Sequence, residues 1–407
     1  MSTRSGAERA DAAPKAGRDD SLTVREIDSL AALEGLRASW VSLASRVADP
    51  SPFLLPQFLL PQIRWVKDKY RLRVLSAWSR GELVGLAPLF ERRVGKWGVT
   101  VRMLSFPVYG TSPPFDLLVD PSVDGVIERF VEHWGGRGDW DMIELANVRT
   151  ASRTKARLER SLSRASMSLS SAHSRDGCFA PVEGSWEKYL QSRSRDLRSN
   201  YSRAWKRCQA VGETNVLRFP EDGMSLEQAL SNVYSILDGS WKKPDSRGRS
   251  IRGFIDDLAS ELSRDGLLVL RLLMVNGRAI AYLIDIDHGR RFTAFHTAYL
   301  LEARDLWPGV IVMGDGVRHA HERGYERYDF GGEARVYITQ WADSQDSYEN
   351  IRLTSHRIGS RLKMPLFDAI HARRSNRARR ETESRKEAAK ADAAAAVSEG
   401  SRVRHSG

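Results

Sequence analysis

Apolar side chains recur at helical spacing through Leu30, Leu33, Leu36, Trp40 and Leu43, directly after a short apolar run at Leu22, Val24 and Ile27. The pattern predicts a strand followed by an amphipathic helix. A second helix is expected around Phe58, Leu59, Ile63 and Trp65. The period then changes to that of strands, over residues 71–78, 83–90 and 99–106, with a turn at Ser79-Arg80-Gly81-Glu82 and an apolar edge at 115–119. A helix over 123–134 and a strand over 141–145 complete an α/β unit. An arginine-rich helix over 152–164 leads to a strand around 166–179.

From Ser185 the register is helical again, and Trp186, Leu190, Leu197, Tyr201, Trp205 and Cys208 define one long amphipathic helix over 185–208. Its other surface carries Arg193, Arg195, Arg198, Arg203, Lys206 and Arg207, either a solvated basic face or a cradle for an anionic substrate. Helices over 226–241 and 251–264 follow. Three strands, 267–275, 279–287 and 291–299, joined by tight turns at Asn276-Gly277 and His288-Gly289, read as an antiparallel meander. Pro308-Gly309 opens a helix over 310–323 that Gly324 closes, and a strand over 325–330 runs into Gly331-Gly332. A last strand near 348–353 precedes a helix from Ser355 that carries Leu362, Leu366 and Ile370. The fold class is therefore α/β (α+β).

Composition narrows the function. The 407 residues are 41% hydrophobic, enough for large cores and two domains of ordinary size. The formal charge is +11, but residues 372–407 hold ten basic and five acidic side chains, so the body carries only about half of it. That excess suits an anionic cofactor or substrate and is too weak to argue for DNA. Two cysteines, Cys178 and Cys208, cannot build a disulfide framework or a cysteine zinc site, and neither has a histidine nearby in sequence. No signal-like or spanning apolar run occurs, so a soluble, cytoplasmic protein is expected. Residues 1–20 and 372–407 are expected to be disordered, the latter a basic tail with weak attraction for an anionic membrane surface.

The chain has no Walker A sequence, HExxH, complete GxGxxG after a strand, or G-x-S-x-G elbow. His319 and His321, two apart on a helix, point to different faces, and no metal site is expected. What remains is the strand with Phe295, Thr297 and Tyr299, a loop with Glu302, Arg304 and Trp307, and the helix opening at Gly309. A helix start exposes unpaired N–H groups and partial positive charge, which suits a pyrophosphate.

A set of short motifs carries a resemblance. They are residues 194–203 (Ser-Arg-Asp-Leu-Arg-Ser-Asn-Tyr-Ser-Arg), Trp241-Lys242, Asn276-Gly277-Arg278-Ala279-Ile280-Ala281, Thr297-Ala298-Tyr299, Pro308-Gly309 and Tyr328-Asp329-Phe330-Gly331-Gly332. In this order the chain resembles the GNAT-type acyltransferases of the CelD group, relatives of the FemAB-like aminoacyl transferases. The resemblance spans roughly 22–341 and is clearest over 185–341. It implies tandem GNAT-like units, residues 21–180 and 181–371, each a mixed, mostly antiparallel sheet flanked by helices. It implies acetyl-CoA or another acyl-CoA along Phe295, Thr297, Ala298 and Tyr299, with its pyrophosphate on Arg304, Gly309 and Val310. Members often accompany polysaccharide biosynthesis. The chain departs at Tyr337-Ile338, where similar sequences have Tyr-Lys before the final tryptophan.

Acyl transfer needs a polarised thioester, a deprotonated acceptor and a proton for the departing thiolate. Asp329 and Glu333 are candidate bases, directly or through water, and Tyr299 and Tyr337 candidate acids. Arg195, Arg198, Arg203, Trp241 and Trp341 are candidate contacts for a small-molecule or saccharide acceptor, although tryptophans serve more often as core than as sugar platforms. Two alternatives stand beside this reading: a FemAB-like transferase fed by aminoacyl-tRNA, with the basic helix holding RNA, and a non-catalytic carbohydrate-binding or scaffold protein.

Overall fold

The computed structural model describes residues 22–48, 50–66, 68–96, 98–107, 113–162, 166–240, 251–333 and 336–370. The first unit runs through β1 (Thr23–Ile27), α1 (Leu30–Glu34), α2 (Arg37–Arg46), α3 (Pro56–Val66), β2 (Arg71–Leu72), β3 (Val74–Ser79), β4 (Glu82–Ala87), β5 (Phe90–Lys96), β6 (Val99–Ser105), β7 (Leu118–Val119), α4 (Val126–Gly136), β8 (Met142–Arg149), α5 (Thr154–Ser161) and β9 (Met167–Pro181). The second continues with α6 (Trp186–Ser192), α7 (Arg195–Val211), β10 (Thr214–Phe219), α8 (Leu226–Asp238), α9 (Arg252–Arg264), β11 (Leu268–Val275), β12 (Arg278–Asp287), β13 (Arg291–Tyr299), α10 (Pro308–Glu322), β14 (Arg327–Glu333), α11 (Val336–Thr339) and β15 (Ser344–Ser355). A last helix, α12, covers residues 358–370.

Three expected elements divide, each for a local reason. The helix read from Leu30 to Leu43 breaks at Gly35 and Leu36 into α1 and α2. The long helix from Ser185 is two helices, because Ser194 leaves helical conformation (ψ 150°) and its hydroxyl accepts the Leu197 N–H at 3.2 Å. The strand read over 83–90 is β4 and the start of β5, parted at Pro88, which has no N–H to give a ladder.

Among the described residues the strands form a four-stranded sheet, β1-β3-β4-β7, and an eleven-stranded one, β10-β11-β12-β13-β14-β9-β15-β8-β6-β5-β2. The larger sheet runs through both units. β15 lies between β9 and β8, pairing antiparallel with each, so a segment from the end of the chain joins the first unit's strands. The β11–β12–β13 meander turns at Asn276 (φ 50°) and Gly277 (φ 71°), then at Gly289 (φ 62°) and Arg290 (φ 57°), paired left-handed residues that match strand twist. Helices cover the sheets: α10 packs on β11, β12 and β13, and α3 of the first unit packs on α9 of the second. An aromatic cluster lies at that junction, with Phe58 5.3 Å from Phe295 and Phe295 6.1 Å from Phe254 between ring centres. Among the described residues no helix is long and apolar enough to cross a membrane.

Candidate active site

β13 positions the site. β12 pairs with it in a register that steps between Ile284 and Asp285, opposite His296 and Ala294, so that Phe295 is bulged out of the ladder. On the other edge β14 runs parallel to β13 only from Arg291 to Thr293, opposite Arg327 to Asp329, and the two strands then part. The close approach at the split requires glycine: Gly331 has φ +66°, and a Cβ there would fall 1.8 Å from the Ala294 carbonyl oxygen. Leu300 N–H donates to the Ile280 carbonyl at 2.9 Å. Alternate residues of a strand aim their backbone groups at opposite edges, so Thr297 and Tyr299 present theirs to the opened edge.

α10 starts beside that edge. Trp307 caps it in left-handed conformation (φ 56°, ψ 48°), Pro308 supplies the first turn, and a Cβ at Gly309 would meet nothing within 4 Å. Val310 N–H turns back to Trp307 O at 3.1 Å. The Gly309 N–H and the positive end of the helix dipole are left for an anion. Arg207 stacks over Trp307 at 4.1 Å and donates to the Asp305 carbonyl at 2.7 Å, holding the loop.

Split edge and helix start open on one cavity of about 1350 Å³, whose far wall comes from the first unit and includes Phe53, Phe90, Arg92, Ser105, Glu144 and Asn147. Arg92 Nη2 lies 3.5 Å from Glu144 Oε2 and 3.2 Å from Met103 Sδ. Asn147, at φ 56°, donates its N–H to Asn350 Oδ1 at 3.0 Å and accepts from Ser174 Oγ at 3.0 Å. His296 is buried in the wall beneath the split, its Nδ1 2.8 Å from Tyr282 Oη. Burial pushes the Tyr282 phenol well above its ordinary range, so it stays protonated.

Of the residues singled out in the sequence, Phe295, Thr297, Ala298, Tyr299, Arg304, Gly309, Val310 and Trp341 line this cavity. Trp341 is also core, stacked on Trp186 at 6.3 Å and edge-on to Tyr201 at 5.7 Å. Asp329 sits at the turn, with Oδ2 2.5 Å from Arg327 Nη2 and Oδ1 accepting the Gly331 N–H at 3.1 Å. Arg195, Arg198 and Arg203 are exposed on α7, away from the cavity lining, and Arg203 is folded onto Ser199 Oγ at 2.8 Å. Trp241 and the side chains of Glu333 and Tyr337 lie outside the described residues, as do the terminal segments 1–21 and 371–407. His296, Arg92 and Glu144 were not legible in the sequence: none belongs to a motif, and only long-range pairing brings them together.

Behind the meander lies a buried ionic cluster. Arg271, fully buried, reaches Asp285 at 3.1 Å and Asp315 at 3.5 Å, while Arg218 binds Asp315 at 2.7 Å. Tyr328 donates to Asp285 at 3.0 Å, and desolvation pushes that carboxyl up to about 6. Arg271 Nη2 is 3.2 Å from His319 Nδ1. An arginine only donates, so Nδ1 is the acceptor and Nε2–H faces Glu221 at 3.1 Å. Burial and then the neighbouring cations, led by Arg271, push His319 down to about 2 despite Glu221. His321 donates instead to Gly184 O at 3.2 Å, and among the described residues no three His, Cys, Asp or Glu side chains gather into a metal site. Cys178 and Cys208 are buried, which raises both thiols.

No curated protein matches the chain. Among solved structures, FemX superposes at a TM-score of 0.55 and 14% identity, over 82% of this chain and 98% of that one. A conserved protein of unknown function from Bacteroides thetaiotaomicron gives 0.50 and 11%, over 82% and 100%. A tandem GNAT protein from the clavulanic acid biosynthesis pathway gives 0.45 and 10%, over 83% and 99%. Residues 195–338, which hold the meander, the split edge and the helix start, match the family model of the acetyltransferase (GNAT) domain.

Proposed function

We propose that the protein transfers an acyl group from acyl-CoA to an amino or hydroxyl group of a sugar or other small acceptor. The observation that carries this reading is the parting of β13 from β14 beside the α10 start, both opening on the cavity. An acyl-pantetheine chain pairs with the free edge at Thr297 and Tyr299 and lies against Phe295 and Ala298. Its phosphates take the Gly309 N–H and the charge of Arg304, with Val310 beside them on the cavity wall. The acceptor enters from the first unit's wall, between Arg92, Glu144 and Trp341, so its nucleophile meets the thioester at β13.

In the transfer the acceptor nitrogen or oxygen attacks the thioester carbonyl carbon, the C–S bond breaks, and the thiolate takes a proton. His296 is the preferred base over Asp329, whose oxygens already serve Arg327 and the Gly331 N–H. Its Nδ1 lies 2.8 Å from Tyr282 Oη, which holds the ring at the cavity wall, and the imidazole takes the acceptor's proton there. Tyr299, on the cavity wall, supplies the proton to the thiolate. The CelD-like kinship and the polysaccharide setting belong to this reading and rest on the short residue matches in the sequence.

The test is a thermal-shift titration with acetyl-CoA and mass spectrometry for co-purified coenzyme A. A ligand at a hundredfold its Kd stabilises by about 2.7 kcal/mol, a readily measured shift. No shift and no coenzyme A would overturn the reading. The exposed Arg195, Arg198 and Arg203, outside the cavity, favour one second reading, an aminoacyl-tRNA donor. Salt-steep tRNA binding, lost when these arginines are replaced and accompanied by no acetyl-CoA shift, would select it.

A further inference from the structure

α12 buries one face and leaves an apolar one outside. Met364 and Phe367 are buried against Val101, Met103 and Met142 of β6 and β8, and the buried Ser360 donates its Oγ–H to Asp141 at 2.7 Å. At about 100° per residue, Ile358, Leu362 and Leu366 lie together on the opposite side. They are 81%, 75% and 52% exposed, the largest such group on any one helix among the described residues. Exposed large apolar side chains in a row mark an interaction surface, whereas single ones need no explanation. Arg361 and Lys363 fall on the two flanks of this row, and Arg357 immediately precedes the helix.

An apolar stripe flanked by basic side chains is the pattern of a helix that lies in a membrane interface. The stripe enters the acyl boundary while the long cationic side chains reach back to the headgroups. A second copy of this chain would bring the same cations against themselves, whereas an anionic bilayer complements them. We infer that α12 docks the protein on an anionic lipid surface, with Ile358, Leu362 and Leu366 inserted and Arg357, Arg361 and Lys363 toward the headgroups. The helix rests on the sheet face that continues into the cavity wall: Met103 touches both the α12 cluster and Arg92. Docking therefore places the first unit's end of the cavity close to the lipid.

The test is co-sedimentation of the full chain with vesicles of phosphatidylcholine, with and without a third of phosphatidylglycerol. The protein is expected to pellet with the anionic vesicles at least about tenfold more than with the neutral ones. A triple variant, Ile358→Ser, Leu362→Ser and Leu366→Ser, alters only exposed positions, and its circular dichroism melt checks that it folds. It is expected to lose at least about tenfold of that partition. Absence of anionic-vesicle binding in the wild type, or equal binding by the triple variant, would overturn the inference. So would a wild-type dimer in analytical ultracentrifugation that the triple variant converts to a monomer.

Discussion

A carboxylate introduced at Gly309 separates the needs of the fold from those of the site. A Cβ there meets nothing, and a negative charge in a first turn favours a helix by about 0.3–1 kcal/mol. Gly309→Asp is therefore expected to keep or slightly raise the Tm, while its charge repels a phosphate at the N–H of the same residue. Acetyl-CoA affinity measured by calorimetry should fall at least about tenfold, or about 1.4 kcal/mol. Unchanged affinity would place the phosphates elsewhere. A different residue-scale consequence concerns His319, held neutral with its pKa pushed down to about 2 against an ordinary 6.5. The unfolded chain takes up a proton that the native state refuses, so this contribution is complete above 6.5 and is lost as pH falls from there. Asp285, raised to about 6, acts in the opposite sense: its contribution is complete below the ordinary carboxylate range and is lost as pH rises through about 6. The difference in Tm between wild type and His319→Gln isolates the histidine and should grow from pH 5 to pH 7; a difference that shrinks over that interval would contradict the assignment.

The elements of the second unit are joined by devices that differ in kind. α10 is tied to the meander by charge, since Arg271 of β11 holds Asp285 of β12 and Asp315 of α10 with no exposure to water. Arg271→Met leaves two carboxylates without that partner and is expected to cost about 3–5 kcal/mol in urea unfolding; a loss below 1 kcal/mol would mean that Arg218 suffices. β13 and β14, by contrast, meet at a close backbone approach where their pairing ends, Gly331 lying against the Ala294 carbonyl. Gly331→Ala places a methyl group on the Ala294 carbonyl in a conformation that itself costs about 1–2 kcal/mol. It should lower both stability and acetyl-CoA affinity, unlike Gly309→Asp. The meander and the Pro308-Gly309 start were legible because tight turns and helix punctuation are local chemistry. The breaks at Gly35, Pro88 and Ser194 were local too, but an apolar period running across them hides them. For α12 the sequence displays Leu362, Leu366 and Ile370 as an apolar row, yet Met364 and Phe367 reach the sheet, because periodicity defines a stripe without stating which neighbour it meets. The pairing of β15 with β9 and β8, and the meeting of His296 with Arg92 and Glu144 around one cavity, depend on contacts between distant segments that carry no local signal.

At the scale of the whole molecule, the earlier and later parts of the chain are joined through one sheet. The eleven-stranded sheet passes from one to the other through β14, β9, β15 and β8, and β15 comes from beyond the segment that matches the acetyltransferase domain. Arg37 and Arg64 of the first unit bind Glu261 of α9 at 2.7 and 3.0 Å, and Arg64 also binds Asp257 at 2.9 Å. Phe295, on the cavity wall, has Phe53 and Phe58 of the first unit among its ring partners. Residues 195–338 alone would leave the β9-facing edge of β14 unpaired and expose Phe295, conditions that favour edge-to-edge aggregation over a defined fold. Chains of this length often unfold in stages, but a shared sheet and a shared aromatic junction couple the stages here. Urea unfolding of the full chain should therefore give coincident transitions by tryptophan fluorescence and far-ultraviolet circular dichroism. The isolated 195–338 fragment should show no cooperative transition and no acetyl-CoA shift. A fragment that melts cooperatively and binds acetyl-CoA would establish the second unit as autonomous and confine the first to presenting the acceptor.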